Sequence, residues 1–315
     1  MSTPDQQEPA VAVLLVHGIG IKDSGYADGP VRLLRRQLVD LVGPAAAGRV
    51  HVRAAYWKPA VADRQDELVR RAFPPRFSAY ARGLDRLVRA VDRGGSWPLL
   101  PLAASGLLRY VPGLGPLHWP TSRWALSYLV GDVIAYQGGL SNPTYREVHR
   151  LVDEALSELA ELAPTSPLVV VAHSLGTVIA SDHFYDRQQD LTDTVAPTPL
   201  ERGETLTCFY TLGSPIALWL MRHPSLDRPV ELPGRDSADA RVRAGAEWVN
   251  VYDPDDVVAF PLRGLSPQYA HAVDRDEAVD VGPRLLASTP VSHIAYWNDQ
   301  AVIGPIARTV AGLVG

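Results

Sequence analysis

Leu168-Val-Val-Val-Ala-His-Ser174-Leu-Gly176 is the stretch on which the reading of this chain turns. Residues 168–172 form an unbroken apolar run, preceded by Pro164 and Pro167 and rich in β-branched valine. A run this short and continuous reads as a strand covered on both faces, as in a parallel sheet, and not as the alternating pattern of a half-exposed strand. Helical spacing begins directly after Ser174 and continues to about residue 187, so the serine sits in a tight turn between strand and helix. Moving outward, Val11-Ala-Val-Leu-Leu-Val16 is a second fully apolar run, closed by Gly18. A helix is expected over 30–42, stopping at Gly43-Pro44, then a strand over 50–57. An amphipathic helix over 145–162 precedes the 168–172 strand, with Val148, Leu151, Val152, Ala155, Leu159 and Leu162 on one stripe. Strands follow at 206–212 and 248–252, and a last helix at 294–313. Strands alternating with helices imply right-handed βαβ units, hence an α/β, doubly wound, mostly parallel sheet with helices on both faces.

One stretch breaks this rhythm. Residues 58–130 begin with helical spacing (Phe77, Tyr80, Leu84, Leu87, Val88, Val91) and continue into a segment rich in Pro, Gly, Trp and Leu. Lying between two core units, it reads as an inserted cap or lid, with Trp97, Trp119 and Trp124 lining or gating an apolar pocket. Its arginines, Arg82, Arg86, Arg89 and Arg93, form a solvated face that leaves room for peripheral contact with anionic lipid. The segment 222–246 reads as a polar loop.

The 315 residues suffice for a single α/β domain spanning 1–315. With 46% hydrophobic and 21% charged residues the chain is globular, not disordered. A net charge of −5 argues against a nucleic-acid partner, which requires a concentrated positive field. The lone Cys208 excludes an internal disulfide and a cysteine-rich zinc site. Residues 1–9 have neither the basic nor the apolar part of a secretory signal and are expected to be disordered. The greasy stretch 96–119 is broken by Pro98, Pro101, Pro112 and Pro116, which a membrane-spanning helix would not tolerate. A cytoplasmic protein is expected.

The turn at Ser174 fits the nucleophile-elbow pattern G-x-S-x-G, with Ala172 in the first glycine position. Such a turn lifts the hydroxyl to the carboxyl end of the sheet, at a helix N-terminus, where developing negative charge is favoured. The partners of an activated serine in this setting come in the chain order serine, acid, histidine. Tyr252-Asp253-Pro-Asp255-Asp256-Val-Val-Ala-Phe260 supplies three candidate acids at a strand's end, and spacing does not choose among them. Val291-Ser-His293-Ile-Ala-Tyr-Trp297 supplies the base, His293, with His271 as the alternative. His51, His118, His149, His183 and His223 read as surface or core residues. Two N–H donors for an oxyanion are expected from Leu175, directly after the serine, and from Ile19 in the turn His17-Gly18-Ile19-Gly20. His17, Gly18, His173 and Ser214 are candidate substrate contacts, and no metal or other cofactor is called for.

Five segments together resemble the α/β-hydrolase superfamily. The likeness is closest to the lipase core of the phosphatidic-acid-preferring intracellular phospholipases, the DDHD-domain family, and its bacterial relatives. They are Leu14-Leu-Val-His-Gly-Ile-Gly20, Gly131-Asp-Val-Ile-Ala-Tyr136, Ala172-His-Ser-Leu-Gly-Thr-Val-Ile179, Cys208-Phe-Tyr-Thr-Leu-Gly-Ser-Pro-Ile216 and Tyr252-Asp-Pro-Asp-Asp-Val-Val-Ala-Phe260, in the family's order. The chain departs from that pattern at Ala172, and the 58–130 insert has no counterpart in it. The resemblance implies an α/β-hydrolase fold, Asp256 as the acid, and a small-molecule or lipid ester as substrate. It thus implies a serine esterase or lipase. The same three residues would equally serve an acyltransferase or thioesterase, and a fold of this kind can also persist as an idle interaction module.

Overall fold

The computed structural model describes residues 10–73, 77, 79–84, 86, 110, 112, 113, 115–282 and 290–314. Six strands, β1 (Val11–Val16), β2 (Val50–Ala55), β3 (Leu168–His173), β4 (Leu206–Leu212), β5 (Glu247–Tyr252) and β6 (Arg275–Ala278), form one sheet. Their order is β2-β1-β3-β4-β5-β6, and every neighbouring pair is parallel. The sheet grows from β1 to β2 on one side and from β1 to β3 on the other. That reversal opens a crevice at the carboxyl ends of β1 and β3, the place where open α/β sheets bind ligands.

The unbroken apolar runs follow from coverage on both faces. Along β1, Val11, Val13 and Leu15 join one buried cluster, while Ala12, Leu14 and Val16 join the other. β3 divides the same way, with Val169 and Val171 on the first side and Leu168, Val170 and Ala172 on the second. The first cluster is closed by helix α1 (Asp28–Ala47), through Leu34 and Leu38, and by the last helix, Gln300–Val314, through Val302, Ile306 and Val310. Further along the chain come α2 (Pro59–Ala72), α3 (His118–Tyr136), α4 (Pro143–Ala160) and α5 (Leu175–Gln188). α4 and α5 cover the second cluster through Val148, Val152, Leu156, Val178, Ile179 and Phe184. A polar side chain on either face of β1 or β3 would forfeit about 1.5–3 kcal/mol of burial, so neither strand alternates.

Short helices α6 (Ile216–Trp219), α7 (Ala240–Gly245) and α8 (Pro267–Ala272) lie between β4 and β6, and α9 is Gln300–Val314. Several expectations are corrected. The helix expected to end at Gly43-Pro44 breaks at Gly43, whose φ of 78° is not helical, and then resumes to Ala47. The last helix starts at Gln300 instead of 294, because residues 290–294 and 296–298 turn tightly in 3-10 geometry. The polar 222–246 segment contains α7, capped by the Asp239 side chain on the Arg241 N–H. β6 was not foreseen, since Arg-Asp-Glu-Ala is too polar and short to signal a strand.

The insert's tryptophans among the described residues sit in different surroundings. Trp124 is fully buried among Phe73, Ala81, Ala125 and Tyr128, with Phe77 and Leu84 against them. Trp119, by contrast, is 67% exposed. Leu87, Val88, Arg89, Val91, Arg93 and Trp97 fall outside the described residues. Among the described residues no helix is long and apolar enough to cross a membrane.

Candidate active site

Ser174 leaves β3 with φ 54° and ψ −130°, a left-handed conformation that non-glycine residues avoid. Its N–H is still bonded to the Leu212 carbonyl of β4 (2.9 Å), and its own carbonyl accepts from the Thr177 N–H (2.9 Å), so the turn is clamped at both ends. Two glycines make room for it. A Cβ on Gly176 would lie 2.4 Å from the carbonyl oxygens of Val16 and His17, and one on Gly18 would lie 2.5 Å from Ser174 Cβ. Backbone cannot yield at those distances, so the β1 loop and the elbow require glycine where they touch. Ala172, in the first glycine position of the motif, is buried without such a conflict and needs none.

At this turn three side chains form one hydrogen-bonded chain. Ser174 Oγ lies 2.8 Å from His293 Nε2, and His293 Nδ1 lies 2.7 Å from Asp256 Oδ2. The tautomer consistent with this chain has Nδ1–H donating to the carboxylate and Nε2 accepting from the hydroxyl. Of the three candidate aspartates it is Asp256, 3% exposed, that meets His293. Asp253 is spent on the Asp255 and Val281 N–H groups (both 2.8 Å), and Asp255 is exposed. His271, the alternative base, is exposed on α8. Burial, the largest influence on Asp256, opposes its ionisation. Hydrogen bonds from His293, the Val258 N–H and Tyr296 outweigh it and hold the carboxyl below the usual range.

Sequence reasoning missed Tyr296. Its hydroxyl donates to Asp256 Oδ2 (3.0 Å) and accepts from the Asp253 N–H (2.8 Å), fixing the acid's loop to the turn that carries His293. The only trace in the sequence is its place three residues after the histidine.

Leu175 and Ile19, the residues expected to supply the oxyanion donors, both lie close to Ser174. Leu175 is the first residue of α5, whose first-turn N–H groups have no partner within the helix. Ile19 lies on the β1 loop beside the serine, and both residues line the same cavity as Ser174 and His293. That cavity measures about 430 Å³ and is walled by aliphatic and aromatic side chains: Val133, Leu218, Trp219, Val257 and Val258, with Gln137 at its edge. Among the described residues the tryptophan on this wall is Trp219 of α6, and none of 58–130 contributes to it.

The four expected substrate contacts, His17, Gly18, His173 and Ser214, are not among the residues lining this cavity. His17 is fully buried, stacked on Trp57 at 4.7 Å, and its Nδ1–H donates to the Gly18 carbonyl (2.7 Å). Burial drops its pKa to about 3, against the raising influence of that bond, so it stays neutral. His173, lowered to about 3 mainly by burial, donates through Nε2 to the His293 carbonyl (2.7 Å) and so steadies the base. Gly18 is pressed against Ser174, and Ser214 shares its hydroxyl with Thr177 (2.8 Å). Cys208 is buried, which pushes its thiol pKa up and leaves it inert. No family model, no curated protein and no solved structure matches the chain.

Proposed function

We propose that this protein is a serine hydrolase of carboxylic esters, an esterase or lipase of the α/β-hydrolase superfamily, working through an acyl-enzyme on Ser174. The observation that carries the reading is the continuous chain Ser174–His293–Asp256, at 2.8 and 2.7 Å, opening into an apolar cavity. The placement of the parts supports it. The serine follows β3, the acid follows β5 and the base follows β6, at the carboxyl edge of a parallel sheet. That is the Ser, acid, His order of the superfamily.

In this reading an ester enters with its acyl chain along Val133, Leu218, Trp219 and Val258 and its carbonyl oxygen toward Ile19 and Leu175. Ser174 Oγ attacks the carbonyl carbon while His293 Nε2 takes the hydroxyl proton. Asp256 holds the ring's orientation and stabilises the imidazolium. The tetrahedral oxyanion is held by the two N–H groups. As it collapses, the bond to the leaving alcohol breaks and His293 returns its proton to that oxygen. Water then attacks the acyl-enzyme by the same route and releases the acid and the free serine.

The test is intact-mass labelling with a fluorophosphonate, on the wild type and on Ser174→Ala. A single adduct that vanishes in the variant, followed by turnover that rises with acyl-chain length, supports the reading. A folded wild type that takes no adduct refutes it and returns the chain to the class of idle modules.

A further inference from the structure

The loop that carries Ile19 is held by a buried polar cluster that the reaction itself does not use. Asp132 on α3 is fully buried, and its Oδ2 accepts from the Gly20 N–H at 3.0 Å. Its Oδ1 accepts from Lys58 Nζ (2.6 Å) and from Gln65 Nε2 (2.6 Å), and Lys58 Nζ also donates to Gln65 Oε1 (2.6 Å). Lys58 and Gln65 are 4% and 3% exposed. The Gln65 amide further reaches the Tyr128 carbonyl (3.3 Å) and packs where a Cβ on Gly131 would be 3.0 Å away. Two residues beyond Gly20, Lys22 lies with its ammonium 3.4 Å from the Tyr128 ring centre.

A peptide unit is planar, with its C=O and N–H pointing opposite ways. The Gly18–Ile19 unit is set by His17 Nδ1–H on the Gly18 carbonyl (2.7 Å), which turns the Ile19 N–H away from that bond. The Ile19–Gly20 unit is set by Asp132 on the Gly20 N–H. The units on both sides of Ile19 are therefore pinned, one from within the loop and one from α3. Gly20 has φ 78°, so it offers little resistance of its own to rotation.

We propose that Asp132, seated by Lys58 and Gln65, is the positioning residue of the oxyanion loop, fixing the aim of the Ile19 N–H without touching substrate. The proposal rests on the serine-hydrolase reading above. It also gives the beginning of the insert a purpose: α2 and α3 bring Lys58, Gln65 and Asp132 together as a buttress for the loop. A charge-assisted bond to Gly20 is stronger than one to a neutral acceptor, and a preorganised donor is what such a site requires.

Two neutral variants separate positioning from simple folding. Lys58→Met with Asp132→Asn keeps an acceptor for the Gly20 N–H, whereas Lys58→Met with Asp132→Leu has the same size and no acceptor. Replacing a buried ion pair with well-packed neutral groups is often tolerated. Short-ester kinetics are read per serine titrated by the fluorophosphonate end-point. The Leu variant is expected to lose about 10- to 100-fold in kcat with KM within about threefold of wild type. The Asn variant is expected to stay within about fivefold of wild type in kcat. Equal kcat in the two, or a loss confined to thermal stability, overturns the proposal while leaving the hydrolase reading intact. A wild type with neither adduct nor turnover overturns both.

Discussion

Replacing Ser174 by glycine should make the protein more stable than replacing it by alanine. Both variants lose the hydroxyl and its bond to His293, so their difference reports on the backbone alone. Ser174 holds φ 54° and ψ −130°, a conformation that costs a residue with a Cβ about 1–3 kcal/mol. Glycine relieves that strain but adds about 0.5–1 kcal/mol of unfolded-chain entropy relative to alanine. The net gain for glycine is about 0–2.5 kcal/mol. At about 2.1 cal/mol/K per residue, unfolding 315 residues carries an entropy of roughly 0.7 kcal/mol/K. The glycine variant should therefore melt above the alanine variant, by up to about 4 °C. Differential scanning calorimetry of the two at matched pH resolves this. A glycine variant melting below the alanine variant would mean the elbow is unstrained, and the geometric case for a presented nucleophile would fall with it.

Three further outcomes are expected. Asp256→Asn should lower ester turnover by about 10⁴-fold by favouring the wrong tautomer of His293, whereas Asp255→Asn, exposed and outside the chain of bonds, should leave it within about twofold; comparable losses would reassign the acid. Gly176→Ala should yield no folded protein, since its methyl would sit 2.4 Å from two carbonyl oxygens, and a soluble variant with a wild-type melting point would contradict that packing. Stability should fall in mild acid. Burial depresses His17, His149 and His173 to about 3, so below about pH 6.5 the unfolded chain takes up protons that the folded chain refuses. Stability is then full above that pH and is lost as pH falls, at about 1.4 kcal/mol per pH unit for each histidine. Urea midpoints measured from pH 7.5 to pH 5 check this, and a midpoint that holds or rises toward pH 5 would refute it.

The elements that sequence made legible are those whose signal is local. β1 and β3 are apolar on both faces because each face is covered, and that shows in sequence as a run without alternation. The Ser174 turn declares itself through the small residues its close approaches demand, Gly18 and Gly176. The aspartate cluster was within reach because it follows a strand, and His293 because it comes shortly before the last helix in the order serine, acid, histidine. Spacing left Asp253, Asp255 and Asp256 open and only the family resemblance pointed to Asp256, since the pairing depends on which carboxylate the distant His293 turn meets.

The walls of the cavity and the support of its loop belong to tertiary structure alone. Trp124 and Trp219 look alike as sequence; folding buries the first in the insert and leaves the second facing Ser174. Lys58, Gln65 and Asp132 carry no motif among themselves, with 74 positions separating Lys58 from Asp132. Only the packing of α2 and α3 against the β1 loop turns them into one cluster. Sequence by itself determined the parallel α/β sheet, the serine turn and the candidate base, because periodicity and steric need act between near neighbours. The meeting of Asp256 with His293, the cavity wall and the Lys58–Gln65–Asp132 cluster come from the tertiary structure, because each joins segments far apart in the chain.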